Sequence, residues 1–148
     1  MEFTRMRLFC LFFVVFLAPL SVAHGAEADC WEKTGQAALD ACSNIIKEQQ
    51  IAGQARNNHT VAKAYFHRGN VYYLKRNYDR AIVNYDNAIR LNPNYLKAYH
   101  IRGNAYFLLG AYNKALADFD QVLQLDPSYK AVTFYRQQVQ KKLQQQKK

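Results

Sequence analysis

AKAYFHRGNVYYLKRNYDRAIVNYDNAIRLNPNY, residues 62–95, is followed without a gap by LKAYHIRGNAYFLLGAYNKALADFDQVLQLDPSY, residues 96–129. At an offset of 34 residues, fourteen positions are identical, among them Tyr65/Tyr99, Arg68/Arg102, Gly69/Gly103, Asn70/Asn104, Ala81/Ala115, Asp86/Asp120, Pro93/Pro127 and Tyr95/Tyr129. A fixed period of this length belongs to helical solenoids, in which each unit buries its apolar face only against its neighbours. Such a stack offers a surface to another polypeptide and supplies no reaction chemistry by itself.

Two helical patterns alternate inside each unit. Between residues 61 and 75, Ala64, Tyr65, Arg68, Gly69, Tyr72 and Tyr73 recur at spacings of three and four, one face of a helix. Asn77-Tyr78-Asp79 marks a turn, with Asp79 placed to start the second helix. That helix runs to Leu91 with Ala81, Ile82, Tyr85, Ala88 and Ile89 inward. Asn92-Pro93 stops it, because proline lacks an amide donor and disfavours helical geometry before it. The second unit predicts a helix over 97–109, a break at Gly110, a helix over 113–125 and a stop at Asp126-Pro127. Gly69, Gly103, Ala81 and Ala115 fall where paired helices approach closely, and Tyr65, Tyr72, Tyr85, Tyr99 and Tyr106 fill the space beside them. Arg68 and Arg102 fall near the helix-pair interface, where an unpaired charge is costly. Each is expected to meet Asp86, Asp118 or Asp120 of a second helix.

The start of the sequence reads differently. Arg5 and Arg7, an apolar run over 8–22, and small residues offering cleavage after Ala23, Gly25 or Ala28 make residues 1–25 a secretory signal. The run is 15 residues long and broken by Pro19, short of the roughly 20 of a spanning helix. A retained membrane anchor is the alternative. Cys10 leaves with the signal, and the remaining Cys30 and Cys42 suggest one disulfide in an oxidising compartment, the alternative being two separate buried thiols. Two cysteines without histidines at ligand spacing fall short of a four-ligand metal site, so neither metal nor cofactor is expected.

Charge is uneven. The full sequence has a net charge of +9, and from His24 onward +8, of which residues 130–148 supply +6 with no acidic residue. Export excludes nucleic acid as the partner of this basic end and leaves anionic lipid headgroups or acidic envelope polymers.

The pattern Tyr-x-x-Arg-Gly-Asn-x-Tyr, then Tyr-x-x-Ala, an aromatic, and Leu-x-Pro, present in both units, resembles the tetratricopeptide repeat. Tyr65 and Tyr99 stand where that family usually has tryptophan, Arg68 and Arg102 replace its usual leucine, and Val122 replaces an alanine. The Arg-Gly-Asn wording resembles bacterial envelope members, which implies a periplasmic protein of a Gram-negative bacterium. The resemblance implies an all-α, right-handed superhelix of helical hairpins with two full repeats, 62–95 and 96–129. Residues 29–61 would form a degenerate leading unit and linker, with 38–46 as a second helix and Cys42 in the usual aromatic slot. Cys30 would lie on a short helix or loop before it, and a bridge would pin the unit. The linker over 50–60 is longer than the family's tight turn. Residues 130–148 would form a basic capping helix, striped by Val132, Tyr135, Val139 and Leu143, and a frayed tail.

No nucleophile elbow, phosphate loop, zinc-protease helix or paired-cysteine redox motif occurs, so no enzyme is expected. In the family the first helices of successive repeats line a concave groove. The resemblance therefore implies a groove of Lys63, Phe66, Asn70, Tyr73 and Leu74, continued by Lys97, His100, Asn104, Phe107 and Leu108. Asn70 and Asn104 would offer amides to a peptide backbone, and the lysines positive charge to a carboxylate. The family's clamp for the C-terminus of a polypeptide wants lysine where Phe66 stands, so an extended peptide or partner helix is the expected occupant. The expected function is a non-catalytic adaptor holding a peptide or protein segment. The alternatives are envelope-surface association through the basic C-terminal helix, or service as an accessory subunit of an envelope enzyme complex.

Overall fold

The 34-residue period reappears as a repeated pair of antiparallel helices. The computed structural model describes residues 20–52 and 57–146. Most of the signal segment, residues 53–56 of the linker and the last two residues of the tail lie outside the described residues. The order is α1 (Leu20–Glu32), α2 (Gly35–Ala52), α3 (Asn58–Leu74), α4 (Tyr78–Leu91), α5 (Leu96–Leu108), α6 (Tyr112–Leu125) and α7 (Ala131–Gln145). The fold is all-α, and its hairpins stack in order: α1 on α2, α3 on α4, α5 on α6, with α7 closing on α6. None of these helices is long and apolar enough to cross a membrane.

Each of the two repeat hairpins closes by laying an aromatic ring on a glycine. Tyr85 and Phe119, one unit apart, are fully buried. A Cβ at Gly69 would lie 2.6 Å from the Tyr85 ring, and one at Gly103 would lie 2.6 Å from the Phe119 ring. Ala81, Ala88, Ala98 and Ala115 are also fully buried, so the backbones approach across small side chains.

The turns inside the hairpins are also copies. Asn77 N–H donates to the Tyr72 carbonyl at 2.9 Å and Arg76 N–H to Tyr73 at 2.9 Å, while Ala111 donates to Tyr106 at 2.8 Å and Gly110 to Phe107 at 3.0 Å. This paired bonding ends a helix through one left-handed residue. Gly110 takes that conformation at φ 74°, and Arg76 takes it at φ 59° with a side chain, which costs a non-glycine residue about 1 kcal/mol. The start of α4 differs from the sequence expectation. Asn77, not Asp79, caps it by accepting from the Arg80 amide, and Asp79 sits within the first turn, where the helix dipole favours a carboxylate.

The leading unit is a third hairpin of reduced content. Cys42 on α2 is fully buried at the place held by Tyr85 and Phe119 in the repeats. It pairs as a disulfide with Cys30 on α1, with Cα atoms 4.8 Å apart. A bridge thus stands where the repeats have a ring. α1 runs unbroken through the three cleavage points suggested by the sequence. Much of the expected linker is helical, since α2 reaches Ala52 and α3 begins at Asn58 with Asn57 as its cap.

At the other end, α7 has the register of a further first helix. Val132, Arg136 and Val139 fall one period after Ala98, Arg102 and Ala105, and both valines are fully buried. The face that would meet a second helix carries Thr133, Gln137 and Gln140 in place of Tyr99, Gly103 and Tyr106, a polar surface. Tyr135, placed by the sequence in the buried stripe, is 40% exposed and leans on the His100 and Phe119 rings at 6.0 and 6.2 Å.

Gly69→Ala and Gly103→Ala test the ring contact. Alanine favours a helix over glycine by about 1 kcal/mol, but overpacking against a buried ring costs about 1–3 kcal/mol. Each variant is expected to lose about 1 kcal/mol net by denaturant titration. A gain in stability at both positions would show that the rings give way freely.

Candidate functional site

The first helices form one side of the stack, with α1 against α3 and α5 against α7. α3, α5 and α7 contain no aspartate or glutamate, whereas α4 and α6 hold Asp79, Asp86, Asp118 and Asp120. From residue 57 onward, charge is sorted by helix. Lys63 and Lys97 are exposed on α3 and α5. Burial lowers the pKa of His67, and the positive charges of Lys63 and then Lys97 lower it further, so both lysines act on one spot.

The sequence-derived groove residues divide into three groups. Lys63, Lys97, Leu74 and Leu108 are presented to solvent, with Leu74 77% and Leu108 50% exposed. Tyr73 and Phe107 are half-buried, leaning on Tyr78 and Tyr112 across their own turns at 5.4 and 5.6 Å. Phe66 and His100 depart from expectation. Phe66 is 8% exposed and packs on Tyr95 at 5.0 Å and Tyr85 at 5.9 Å, so it belongs to the core and not to an open surface. His100, its counterpart, is half-buried against Tyr129, Phe119 and Tyr135, and its Nδ1 lies 3.2 Å from the Tyr129 hydroxyl. The tyrosine that ends each repeat folds back over this position of its own first helix. Tyr95 and Tyr129 were visible as an identical pair; what the sequence did not show was the direction of the fold-back.

Asn70 and Asn104 are chemically unequal despite being identical. The Tyr85 hydroxyl donates to Asn70 Oδ1 at 2.9 Å. Burial pushes the phenol well above its usual range, so it stays a donor. Phe119 has no hydroxyl, and Asn104 Oδ1 is buried without a hydrogen-bond partner, as is His100 Nε2 one turn earlier. The free-amide ladder implied by the resemblance is therefore one engaged asparagine and one sealed, unsatisfied one.

The Trp31 contact and the exposure of Phe134 were not foreseen. Trp31 of α1 meets His67 at 4.9 Å, docking the leading unit on α3. Phe134 of α7, 61% exposed, occupies the position of Phe66 and His100. Arg102 donates to both Asp118 oxygens at 2.9 and 2.6 Å and to Asp86, as its expected partners required. Arg68 does not: it donates to Asn84 at 2.7 Å and Ser43 at 3.1 Å. Arg136, one period beyond Arg102, donates to Asp120 at 2.5 Å. Among the described residues no group of three or more histidine, cysteine or acidic side chains is arranged to hold a metal.

Two measurements check these contacts. Phe119→Tyr should give Asn104 the donor it lacks and raise stability by about 1 kcal/mol, and Tyr85→Phe should remove a comparable amount. Equal melting temperatures for both variants and the parent would refute the assigned bonds. Burial also lowers the His100 pKa, as it does that of His67, so both folded values lie below the unfolded one. Stability is then complete above about pH 6.5, where folded and unfolded rings are neutral, and falls at lower pH as the unfolded state takes up protons the folded state resists. Denaturation curves between about pH 7 and 5 should show this slope, and His67→Gln/His100→Gln should flatten it.

Comparison with known proteins agrees with this architecture. The family model described as tetratricopeptide repeat matches residues 62–95 and 96–129. No curated protein sequence matches this one. Among solved structures, the Arabidopsis OM64 TPR domain is similar at TM-score 0.64 and 20% identity, covering 82% of this chain and 96% of that one. The TPR2B domain of yeast Sti1, solved in complex with an Hsp70 peptide, is similar at TM-score 0.64 and 22% identity, covering 84% and 97%. The second TPR domain of human RPAP3, solved with the HSP70 peptide SGPTIEEVD, is similar at TM-score 0.57 and 25% identity, covering 80% and 98%. Residues 62–95 and 96–129 are two tetratricopeptide repeats, and the fold around them is that of the similar TPR domains.

Proposed function

We propose that the protein is a non-catalytic interaction module that takes a peptide or protein segment along the row of α3, α5 and α7. The sorting of charge carries this assignment. The row holds exposed Lys63 and Lys97 and no carboxylate, and Leu74 and Leu108 project from the far ends of the same two helices at equivalent positions. A cationic surface with regularly spaced apolar side chains suits a polypeptide that brings acidic and apolar groups in turn. The similar Sti1 and RPAP3 domains were solved with Hsp70 peptides, which supports a peptide as the class of ligand. Phe66 and Asn70 are taken up by internal contacts, so side-chain recognition falls on the lysines, the leucines and Phe134.

The place of action proposed with this function is an oxidising compartment outside the cytoplasm. The basic-apolar-small pattern of residues 1–25 and the Cys30–Cys42 pair support it. N-terminal sequencing of the protein from its native host should find a mature form beginning after residue 23, 25 or 28. An intact Met1 would remove the proposal of a cleaved signal.

A photo-crosslinking residue at position 74 or 108 tests the surface directly. In the presence of the host's own extract, it should give a discrete protein or peptide adduct that disappears in Lys63→Glu/Lys97→Glu. The same probe at Ala117, exposed on α6, should not give it. Adducts of equal yield from positions 74, 108 and 117, or adducts indifferent to the charge reversal, would reject the row as the binding surface.

A further inference from the structure

Arg102 is held by two carboxylates, Asp118 of its own hairpin and Asp86 of the one before. Arg136 reaches back in the same way to Asp120, which is Asp86 moved on by one unit. Arg68 occupies the same place in α3 and sends its guanidinium in the same two directions, with Nε to Asn84 and Nη1 to Ser43. Asn84 is the counterpart of Asp118. Ser43, next to Cys42 as Asp86 is next to Tyr85, is the counterpart of Asp86 on α2. Both carboxylates of the contact are therefore replaced by neutral groups. Among the described residues Arg68 forms no ion pair. Its two hydrogen bonds use two of the five donors of a guanidinium.

The Arg68 guanidinium also lies over the Tyr65 ring at 5.3 Å, and space adjoins it. A cavity of about 460 Å³ lies between α2 and the α3–α4 hairpin, with Ser43, Tyr72, Lys75 and Arg80 in its walls. A second, of about 350 Å³, shares Tyr72 and Arg80 and is lined by Arg68 and Asn84. Arg80 lies over the Tyr72 ring at 5.6 Å, which holds a second guanidinium at the shared opening. Two acidic residues also line these walls, Asp79 and Asp40, the latter accepting from Gln36 at 2.9 Å. Arg68, Lys75 and Arg80 outnumber them.

We propose that the notch between α2, α3 and α4 is a carboxylate-binding site in which Arg68 and Arg80 are the donors. The ligand supplies the negative charge that Asp86 and Asp118 supply to Arg102, and the planar guanidinium matches a carboxylate with two parallel bonds. Its source is either a free small carboxylate or an acidic side chain of a bound polypeptide.

The test follows the arginine Nε–H signals of the whole protein by NMR during titration with succinate, with a short glutamate-rich peptide blocked at both ends, and with inorganic phosphate. Arg68 should shift saturably with succinate or the peptide. Saturation by succinate identifies a site open to free carboxylates, and saturation by the peptide alone identifies an acidic side chain as the source. Ser43→Asp/Asn84→Asp supplies both charges internally and should weaken binding by about tenfold or more while raising the melting temperature. Arg80→Gln, at an exposed position, should weaken binding and leave the melting temperature unchanged. An Arg68 signal indifferent to all three ligands, saturation by phosphate alone, or a double variant that binds as the parent does would each overturn the proposal.

Discussion

An aromatic ring pressed onto a glycine sets the geometry of each repeat. Tyr85 covers Gly69 and Phe119 covers Gly103 at distances that leave no room for a Cβ. Once the ring must land there, the register of the two helices is fixed, and so is the turn that joins them. The matching helix-ending bonds at Arg76 and Gly110 follow from that demand, and it is strict enough that Arg76 adopts a left-handed backbone that glycine adopts freely. The leading hairpin lacks the ring and places Cys42 in its stead. There a covalent tie to Cys30 replaces apolar area as the restraint on how α1 lies against α2.

Between hairpins the restraint changes from shape to charge. Val132 and Val139 seat α7 in the same way that Ala98 and Ala105 seat α5, while an arginine at the same depth of each first helix reaches for the preceding second helix. The Arg102–Asp86 and Arg136–Asp120 pairs lie at exposed positions. The bidentate Arg102–Asp118 contact inside the hairpin is part-buried, where a charged hydrogen bond is stronger than at the surface. From α3 onward the helical carboxylates lie on α4 and α6, which leaves α3, α5 and α7 cationic. The surface proposed for binding is thus a by-product of how the units are fastened.

The fold was legible because its signals are periodic. Glycine, proline, tyrosine and alanine recur at 34 residues, and each has a local reason to stand where it does. Helix ends followed to within a few residues, apart from the cap at Asn77 and the extent of α2 and α3 into the linker. The candidate surface was harder to read, since it depends on what lies above a residue as well as on which face it occupies. Phe66 has the spacing of a surface position, and only the fold-back of Tyr95 removes it from the surface. Asn104 is identical to Asn70, and only the absence of a hydroxyl on Phe119 separates their chemistry. For Arg68 the sequence named the need for a partner but not the neutral residues that stand there, because Ser43 belongs to a unit whose offset differs from the repeat period.

The polar outer face of α7 has a bearing on how such a molecule changes length. Its inner side is that of any first helix, with valines for alanines and the same backward-reaching arginine, so α7 can dock on any unit that ends as 96–129 does. A copy of residues 96–129 inserted between Tyr129 and Lys130 would present α7 with the same docking face, including the carboxylate that Arg136 reaches. The seat of α7 is indifferent to how many units precede it, and growth by duplication in place leaves its contacts unaltered.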